Sequence, residues 1–238
     1  MGVTIQLADT INWAKPFVRF MPLNIGTGNE PAISIGNSVR QTILGPPFCW
    51  RWNRSVAASF NTIVGIQDYT QTLSDFGFLE QVSLTNGSDS FAITNLKNIL
   101  GKSSVQAKPT SAAAMSDPST TSISFRLLPT PDKIYSVELF YQRAATLFTG
   151  LTQTWTPIPD HLSFVYNQGF LAFAAMYADD ARWQIALQRF LASLIGVSEG
   201  LDEVQKNIFL ETWLGSSSQS VASQLKAQIG GTSRPSLK

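Results

Sequence analysis

The most strongly patterned stretch of the chain, residues 158–194, predicts two consecutive helices. Apolar side chains recur in it at spacings of three and four, which places them along one side of a helix. Asp160 follows two prolines, and its carboxylate is expected to accept hydrogen bonds from amides of the first turn. Asp179 and Asp180 interrupt the pattern and are expected to cap the second helix. The broad apolar face of these helices needs a cover, which the earlier chain must supply.

Further helices are predicted on both sides of this stretch. A short helix is expected within residues 9–20, and a third C-terminal helix is expected over 202–215. The pattern over 31–44 predicts a longer helix, because Pro31 suits its first position and a Gly-Pro-Pro sequence at residues 45–47 ends it.

From residue 48 onwards the sequence changes to patterns that are typical of strands. Alternating apolar and polar residues at 123–127 and 135–141, joined by a proline-containing connection, predict a β-hairpin. Asn86-Gly87 predicts a second tight turn between strands. Residues 103–121 are mainly Ser, Ala, Thr and Pro, and they are expected to form an exposed loop.

This order of elements, helices then strands then helices, predicts an α+β fold. We expect a helical bundle domain built from residues 1–47 and 156–215, with an antiparallel β subdomain inserted at 48–155. Residues 216–238 are polar and are expected to form an extended, flexible C-terminal arm that orders on a partner. The short apolar series of this arm comprises Val221, Leu225 and Ile229.

Composition limits the classes of partner. The chain has 238 residues, of which 44% are hydrophobic and only 14% charged, against roughly a quarter charged in an average soluble domain. Part of such a surface is expected to be covered by partner proteins. With 17 basic and 16 acidic residues, the net charge gives no overall attraction to nucleic acid or to an anionic membrane.

The residues that carry chemistry are sparse, and no enzyme is predicted. The single cysteine, Cys49, excludes an intramolecular disulfide, and with the single histidine, His161, it argues against zinc or haem, so no cofactor is expected. Asp179 and Asp180 are adjacent, so on a helix they point in different directions and share a proton poorly. We find no secretion signal and no apolar run that would span a bilayer, which predicts a soluble protein made in the cytoplasm.

One segment interleaves aromatic and basic residues. Trp50, Arg51, Trp52 and Arg54 belong to a stretch, residues 48–54, whose alternation predicts a strand with both tryptophans on one face. That face is expected to pack into the core. The alternatives are a contact with another protein, because Trp and Arg dominate interface hot spots, and a stacking surface for single-stranded nucleic acid or sugar.

Several runs of residues, and the order in which they occur, resemble structural proteins of tailed bacteriophages. The runs lie at 12–17 (NWAKPF), 28–31 (GNEP), 41–54 (QTILGPPFCWRWNR), 67–69 (QDY), 75–77 (DFG), 126–132 (RLLPTPD) and 158–160 (IPD). Together with the order of elements, they are similar to the head-to-tail adaptor of the phage neck, the class that includes tail tubular protein A of short-tailed phages.

This resemblance implies a structural role in the virion. Adaptors of this class form a ring of twelve copies beneath the portal protein, contact the next tail or nozzle protein, and let genomic DNA pass without sequence-specific binding. The resemblance also implies that the arm at 216–238 docks on the portal, and that no membrane is involved. The alternatives are another tail component, such as a tail-completion or baseplate protein, and a glycan-binding or hydrolytic virion protein that uses Trp50 and Trp52.

Overall fold

The structure is a computed structural model that describes residues 3–17, 29–96, 101–115 and 122–214, with the side chains of 212–214 left aside. It divides into two compact units. The helical unit comprises Met1–Val39, Thr149–Trp155 and Pro159–Lys238, and the sheet unit comprises Arg40–Phe148 and Thr156–Ile158.

Five α-helices lie in the described residues, and they confirm the helices predicted from periodicity. They are α1 (Leu7–Ala14), α2 (Ala32–Leu44), α3 (Ser163–Tyr177), α4 (Trp183–Val197) and α5 (Glu203–Leu214), with short 3-10 helices at Arg51–Asn53 and Asp160–Leu162. α2 begins in the helical unit and ends in the sheet unit.

The helical unit is closed by tight packing of α3 on α4. Phe170 of α3 and Phe190 and Leu194 of α4 are fully buried. Gly169 allows this approach, because a Cβ atom there would lie 2.8 Å from a ring carbon of Phe190 and 2.8 Å from a methyl group of Val39. Such distances are too short for real side chains, so α3 needs a glycine at this position.

The two predicted caps differ in outcome. Asp180 accepts a hydrogen bond from the amide of Arg182 (2.9 Å), and its carbonyl accepts one from Trp183 (2.8 Å), so it forms the turn that precedes α4. Asp160 does not cap its own helix as predicted. Its carboxylate instead accepts hydrogen bonds from the amides of Thr4 (3.0 Å) and Ile5 (3.3 Å), which fixes the N-terminal segment in the helical unit.

The described residues of the sheet unit contain ten strands. They are β1 (Arg54–Val56), β2 (Phe60–Asn61), β3 (Asp68–Thr72), β4 (Phe76–Asn86), β5 (Asp89–Asn95), β6 (Gln106–Ala107), β7 (Ser111–Ala114), β8 (Ser122–Leu128), β9 (Thr130–Pro131) and β10 (Ser136–Arg143). Eight of them form one sheet in the order β1-β10-β4-β5-β7-β8-β3, with β2 also paired to β10, while β6 and β9 pair with each other. The sheet is mixed, because β5 and β7 run parallel and the other pairs in it run antiparallel.

Alternating side chains of this sheet form one apolar core. Val82 and Leu84 of β4 and Val137 of β10 are fully buried, as are Phe125 and Leu127 of β8. The period of two that predicted the strands therefore marks the residues that face the core.

The predicted architecture, a helical bundle with an inserted antiparallel β subdomain, is wrong. A large mixed sheet dominates the α+β structure, and it contains a parallel pair, Thr94 opposite Ser111, that no hairpin pattern predicts. Helical periodicity extends over many residues and stands out in a sequence, whereas short strands of two to five residues do not. The arm predicted at 216–238 lies outside the described residues.

The predicted hairpin is also wrong, although both of its strands exist. β8 lies between β7 and β3, whereas β10 pairs with β1, β2 and β4. The connection does not turn the chain back onto β8, because its strand β9 pairs with β6 instead.

Two shorter predictions also have opposite outcomes. The Asn86-Gly87 turn is confirmed, since Asn86 lies opposite Asp89 and Gly87 has a φ of 64°. The loop predicted over 103–121 is wrong where described, because β6 and β7 lie within it and Ala112 and Ala113 are buried.

Candidate interaction surfaces

Trp50 lies in the core of the sheet unit. Its indole Nε1 donates to the carbonyl of Ile43 (2.7 Å), and its amide donates to Oε1 of the buried Gln142 (3.1 Å). The ring stacks on Trp52, with centroids 5.2 Å apart. Every polar group of Trp50 that faces the interior is therefore satisfied within the sheet unit.

The other members of this segment do not continue a strand. Arg51–Asn53 form a 3-10 turn, and β1 begins only at Arg54, so the predicted strand over 48–54 is wrong. The two tryptophans stack because of this turn, and Trp52 stays half-buried while Arg51 and Arg54 are exposed.

Arg54 is engaged by a partly buried carboxylate. Glu80 of β4 accepts hydrogen bonds from Nε of Arg54 (2.8 Å) and from Nε2 of Gln142 (2.7 Å). Burial raises the pKa of Glu80, but these hydrogen bonds and the charge of Arg54 outweigh it, so the pKa lies below its ordinary value. The predicted group Trp50, Arg51, Trp52 and Arg54 thus contains a buried ring and a neutralised cation, which leaves little free stacking surface.

The sheet unit exposes a separate group of aliphatic side chains, which we call the aliphatic tip. Its members are between 45% and 63% exposed. They are Ile63, Val64, Ile66, Val105 and Ile134.

Hydrogen bonds join the three segments that carry the tip. The amide of Gly65 donates to the carbonyl of Pro131 (3.0 Å), and the amide of Thr130 donates to the carbonyl of Val105 (3.1 Å). The Tyr69 hydroxyl accepts from the amide of Ile63 (3.1 Å) and donates to the carbonyl of Ile66 (2.8 Å). The tip is therefore a fixed surface, built on turns whose backbone groups are paired.

The helical unit contains an open cavity of about 430 Å³, which we call the apolar groove. Side chains from α1 and the turn after it, from α3 and from α4 line it. They include Trp13, Phe17, Leu171, Ala175, Ile185 and Ala186. The lining residues of each segment include a pair four positions apart, namely Trp13 with Phe17, Leu171 with Ala175, and Ile185 with Arg189. Each segment therefore turns one face to the groove.

The rim of the groove carries positive charge. Asp180 and Arg182 form an ion pair (2.6 Å), and the hydrogen bonds from Arg182 lower the pKa of Asp180 to about 2. Arg189 is exposed at the rim and has no ion-pair partner within the described part of the chain. The opposite charges of Asp180 and Arg182 cancel, so Arg189 supplies the net charge of the groove.

Helix α5 presents an apolar row to solvent. Asp202 and Gln205 form a reciprocal cap at its start, in which each side chain accepts from the other residue's amide (3.1 and 2.7 Å). Val204 is 67% and Ile208 54% exposed, whereas the adjacent Phe209 is half-buried. The cap sets the start of α5, and the described residues leave Val204 and Ile208 largely exposed.

Sequence analysis did not identify the tip, the groove or the exposed row. The only signal for the tip was an aliphatic run around Gly65, which strand patterns explain equally well. The predicted arm residues Val221, Leu225 and Ile229 lie outside the described residues.

In the parts of the chain that the structure covers, no group of three His, Cys, Asp or Glu residues could hold a metal ion. No helix in those parts has the length and apolarity needed to cross a membrane.

Exposed apolar surfaces of this kind mark proteins that bind other proteins. The family model described as SU10 adaptor protein matches residues 44–208, well over half of the chain, and the chain therefore belongs to the SU10 adaptor protein family. Membership supports the predicted class, a structural head-to-tail adaptor of bacteriophages, and it agrees with the prediction that the protein is not an enzyme. The resemblance to tail tubular protein A is not confirmed, and no curated protein matches the chain.

The family match covers the two units unequally. It includes all ten strands, α3 and α4, and it ends within α5 at residue 208. α1, nearly all of α2 and residues 209–238 lie outside it. The sheet and the α3–α4 pair are thus the part that this chain shares with the family.

Proposed function

We propose that this protein is a head-to-tail adaptor that forms a ring beneath the portal, connects the capsid to the tail and lets DNA pass. The observation that carries the proposal is the family match over residues 44–208. The portal above and a tail or nozzle protein below are the proposed neighbours, and twelve copies in the virion are the proposed assembly.

The exposed apolar surfaces support assembly with copies of the same chain and with other proteins. A closed ring uses head-to-tail contacts, in which each copy presents two different surfaces to its neighbours. The aliphatic tip and the row on α5 expose aliphatic side chains, while the apolar groove is a cavity. A single chain therefore offers several unlike surfaces, as a ring member that also binds two other proteins requires.

The charge of the chain supports the passage of DNA. Lys and Arg residues that contact phosphates hold a duplex through the release of counterions. A net charge of +1 over 238 residues gives little overall retention of DNA. A nearly neutral protein is suited to a channel that DNA must leave as easily as it enters.

The C-terminal segment 216–238 is the proposed arm for the portal. It contains three basic residues, Lys226, Arg234 and Lys238, and no acidic residue, beside the apolar series Val221, Leu225 and Ile229. Such a segment suits an acidic surface that also has apolar pockets. Binding through this arm should therefore weaken as salt concentration rises.

Counting copies per particle tests the proposal. Quantitative mass spectrometry of purified virions, with the portal and major capsid proteins as internal references, should give equal numbers of this chain and of the portal. A large excess would indicate a tail-tube or capsid component instead, and absence of the chain from virions would refute the structural role.

Deletion of residues 216–238 should leave a folded protein that no longer binds the purified portal, and retained binding would exclude the proposed arm.

A further inference from the structure

We infer that the apolar groove of one copy binds helix α5 of a second copy. This inference rests on the proposed ring and names a contact within it. The proposed contact involves only surfaces of the helical unit. Two apolar features of that unit, an open groove and an exposed helix face, suggest it. These are the groove between α1, α3 and α4, and the exposed row Val204–Ile208.

The residues of α5 fit a helix-in-groove contact. Val204, Ile208 and Glu211 are spaced by four and three positions, so they lie on one side of the helix. Helices that bind in grooves use anchors at such spacings. The side chains of Val204 and Ile208 are small enough for a cavity of about 430 Å³, which lies within the range of about 300–1,000 Å³ typical of binding pockets.

Charge selects α5 as the occupant. Residues 199–211 contain four acidic residues and one basic residue, whereas the groove has Arg189 as its net charge. Glu211 is exposed and follows the apolar row by one turn, and Arg189 follows Ile185 by one turn on α4. Seating Ile208 against Ile185 with α5 parallel to α4 brings Glu211 to Arg189, and neither side chain has an ion-pair partner within its own described chain.

The same charges argue against two other occupants. The C-terminal segment 216–238 is basic and would be repelled by Arg189. The tip carries Asp132 and Lys133 side by side, so it offers the groove no net opposite charge. Within the same chain, α5 does not fill the groove, because Val204 and Ile208 are exposed.

Photo-crosslinking in the assembled particle tests the contact. The full chain would carry p-benzoylphenylalanine in place of Val204 and would be supplied to a phage that lacks its own copy. The expected product is a crosslinked pair of copies, joined between position 204 and a peptide from 171–189. A crosslink to the portal or another protein, or no crosslink in particles that contain the chain, would overturn the inference and leave the adaptor role intact. Absence of the chain from particles would instead overturn both proposals.

Charge exchange tests the register. Arg189→Glu and Glu211→Arg should each lower the yield of the crosslink by about two- to fivefold, since an exposed ion pair has about that effect. The two changes combined should restore the yield. Lys133→Glu in the sheet unit is the matched control and should leave the yield unchanged. Failure of the double variant to recover would refute the pairing of Glu211 with Arg189.

Discussion

The two units stabilise their functional surfaces in different ways. In the helical unit, aromatic packing fixes the elements. The rings of Trp155 and Tyr166 stack with their centroids 4.4 Å apart, and Nε1 of Trp155 donates a hydrogen bond to the hydroxyl of Thr10 (2.9 Å). In the sheet unit, a polar network supplements the apolar core, since the carboxylate of Glu80 joins Arg54 and Gln142. Aromatic packing does not depend on pH, whereas a network centred on a carboxylate does. The Trp155 and Glu80 contacts should therefore respond differently to truncation and to acid.

The largest expected effect is in the helical unit. Trp155→Ala removes a fully buried ring and leaves the Thr10 hydroxyl without this donor. We expect a loss of about 3–5 kcal/mol of unfolding free energy. Urea denaturation followed by hydrogen exchange should show the loss first in amides of α1 and α3. Trp13→Ala, a change of the same size at an exposed position of α1, is the control and should cost much less.

A smaller and pH-dependent effect is expected in the sheet unit. Glu80→Gln should cost about 1–3 kcal/mol at pH 7, because it removes the charge that accepts three hydrogen bonds, two from Arg54 and one from Gln142. The folded-state pKa of Glu80 is lowered, so its stabilisation is complete above the ordinary value of 4.5 and is lost as pH falls through the folded value.

Denaturation at several pH values measures this difference. The gap between wild type and Glu80→Gln should be constant from pH 7 to about pH 5 and should close below about pH 4.5. Glu138→Gln on β10 is the control, because its carboxylate has no part in the network. A gap that stays constant down to pH 3 would show that the charge of Glu80 does not stabilise the sheet unit.

A third prediction concerns the tip. Tyr69→Phe keeps the ring, which packs on Phe60 (5.5 Å), but removes the hydroxyl that binds the Ile63–Ile66 turn. We expect a loss of about 1 kcal/mol and faster hydrogen exchange at the amides of that turn. Tyr141→Phe removes a hydroxyl bond to Asp75 elsewhere in the sheet unit and should not change exchange in the turn. Unchanged exchange in Tyr69→Phe would mean that other contacts fix the tip.

The helices could be predicted from the sequence to within a few residues, and the sheet could not. Over 158–194 the apolar spacing specifies the helices and most of their buried side, although Tyr177 and Ile185, which share the spacing, are more than half exposed. Alternation in β8 and β10 specifies which residues face the core, but it does not specify the neighbouring strands, which include β3 for β8 and β4 for β10, both distant in sequence. β7 was missed because its buried residues, Ala112 and Ala113, are too small to stand out in a Ser- and Ala-rich segment.

The candidate surfaces were harder to predict than the fold. The sequence shows that Trp50 and Trp52 are large and apolar, but only packing shows that Trp50 is buried. Conversely, Ile63 and Ile208 look like core residues, and only the structure shows that more than half of each is exposed. An apolar side chain that awaits a partner has the same sequence pattern as one that packs in its own core.

The smallest effect on stability, and the most informative for function, is expected at the two exposed isoleucines. Ile63→Asp and Ile208→Asp should each change the unfolding free energy by no more than about 0.5 kcal/mol, because both side chains are largely in water. Their effects on assembly should differ. Ile208→Asp places a charge in the proposed contact between copies and should weaken it by about tenfold or more. Ile63→Asp should leave that contact intact, and we expect it to impair binding to a neighbouring virion protein.

Particle incorporation and the position-204 crosslink, measured for both variants, separate the two roles. If Ile63→Asp lowers the crosslink as strongly as Ile208→Asp, the tip also lies between copies, and the groove is not the sole site of contact.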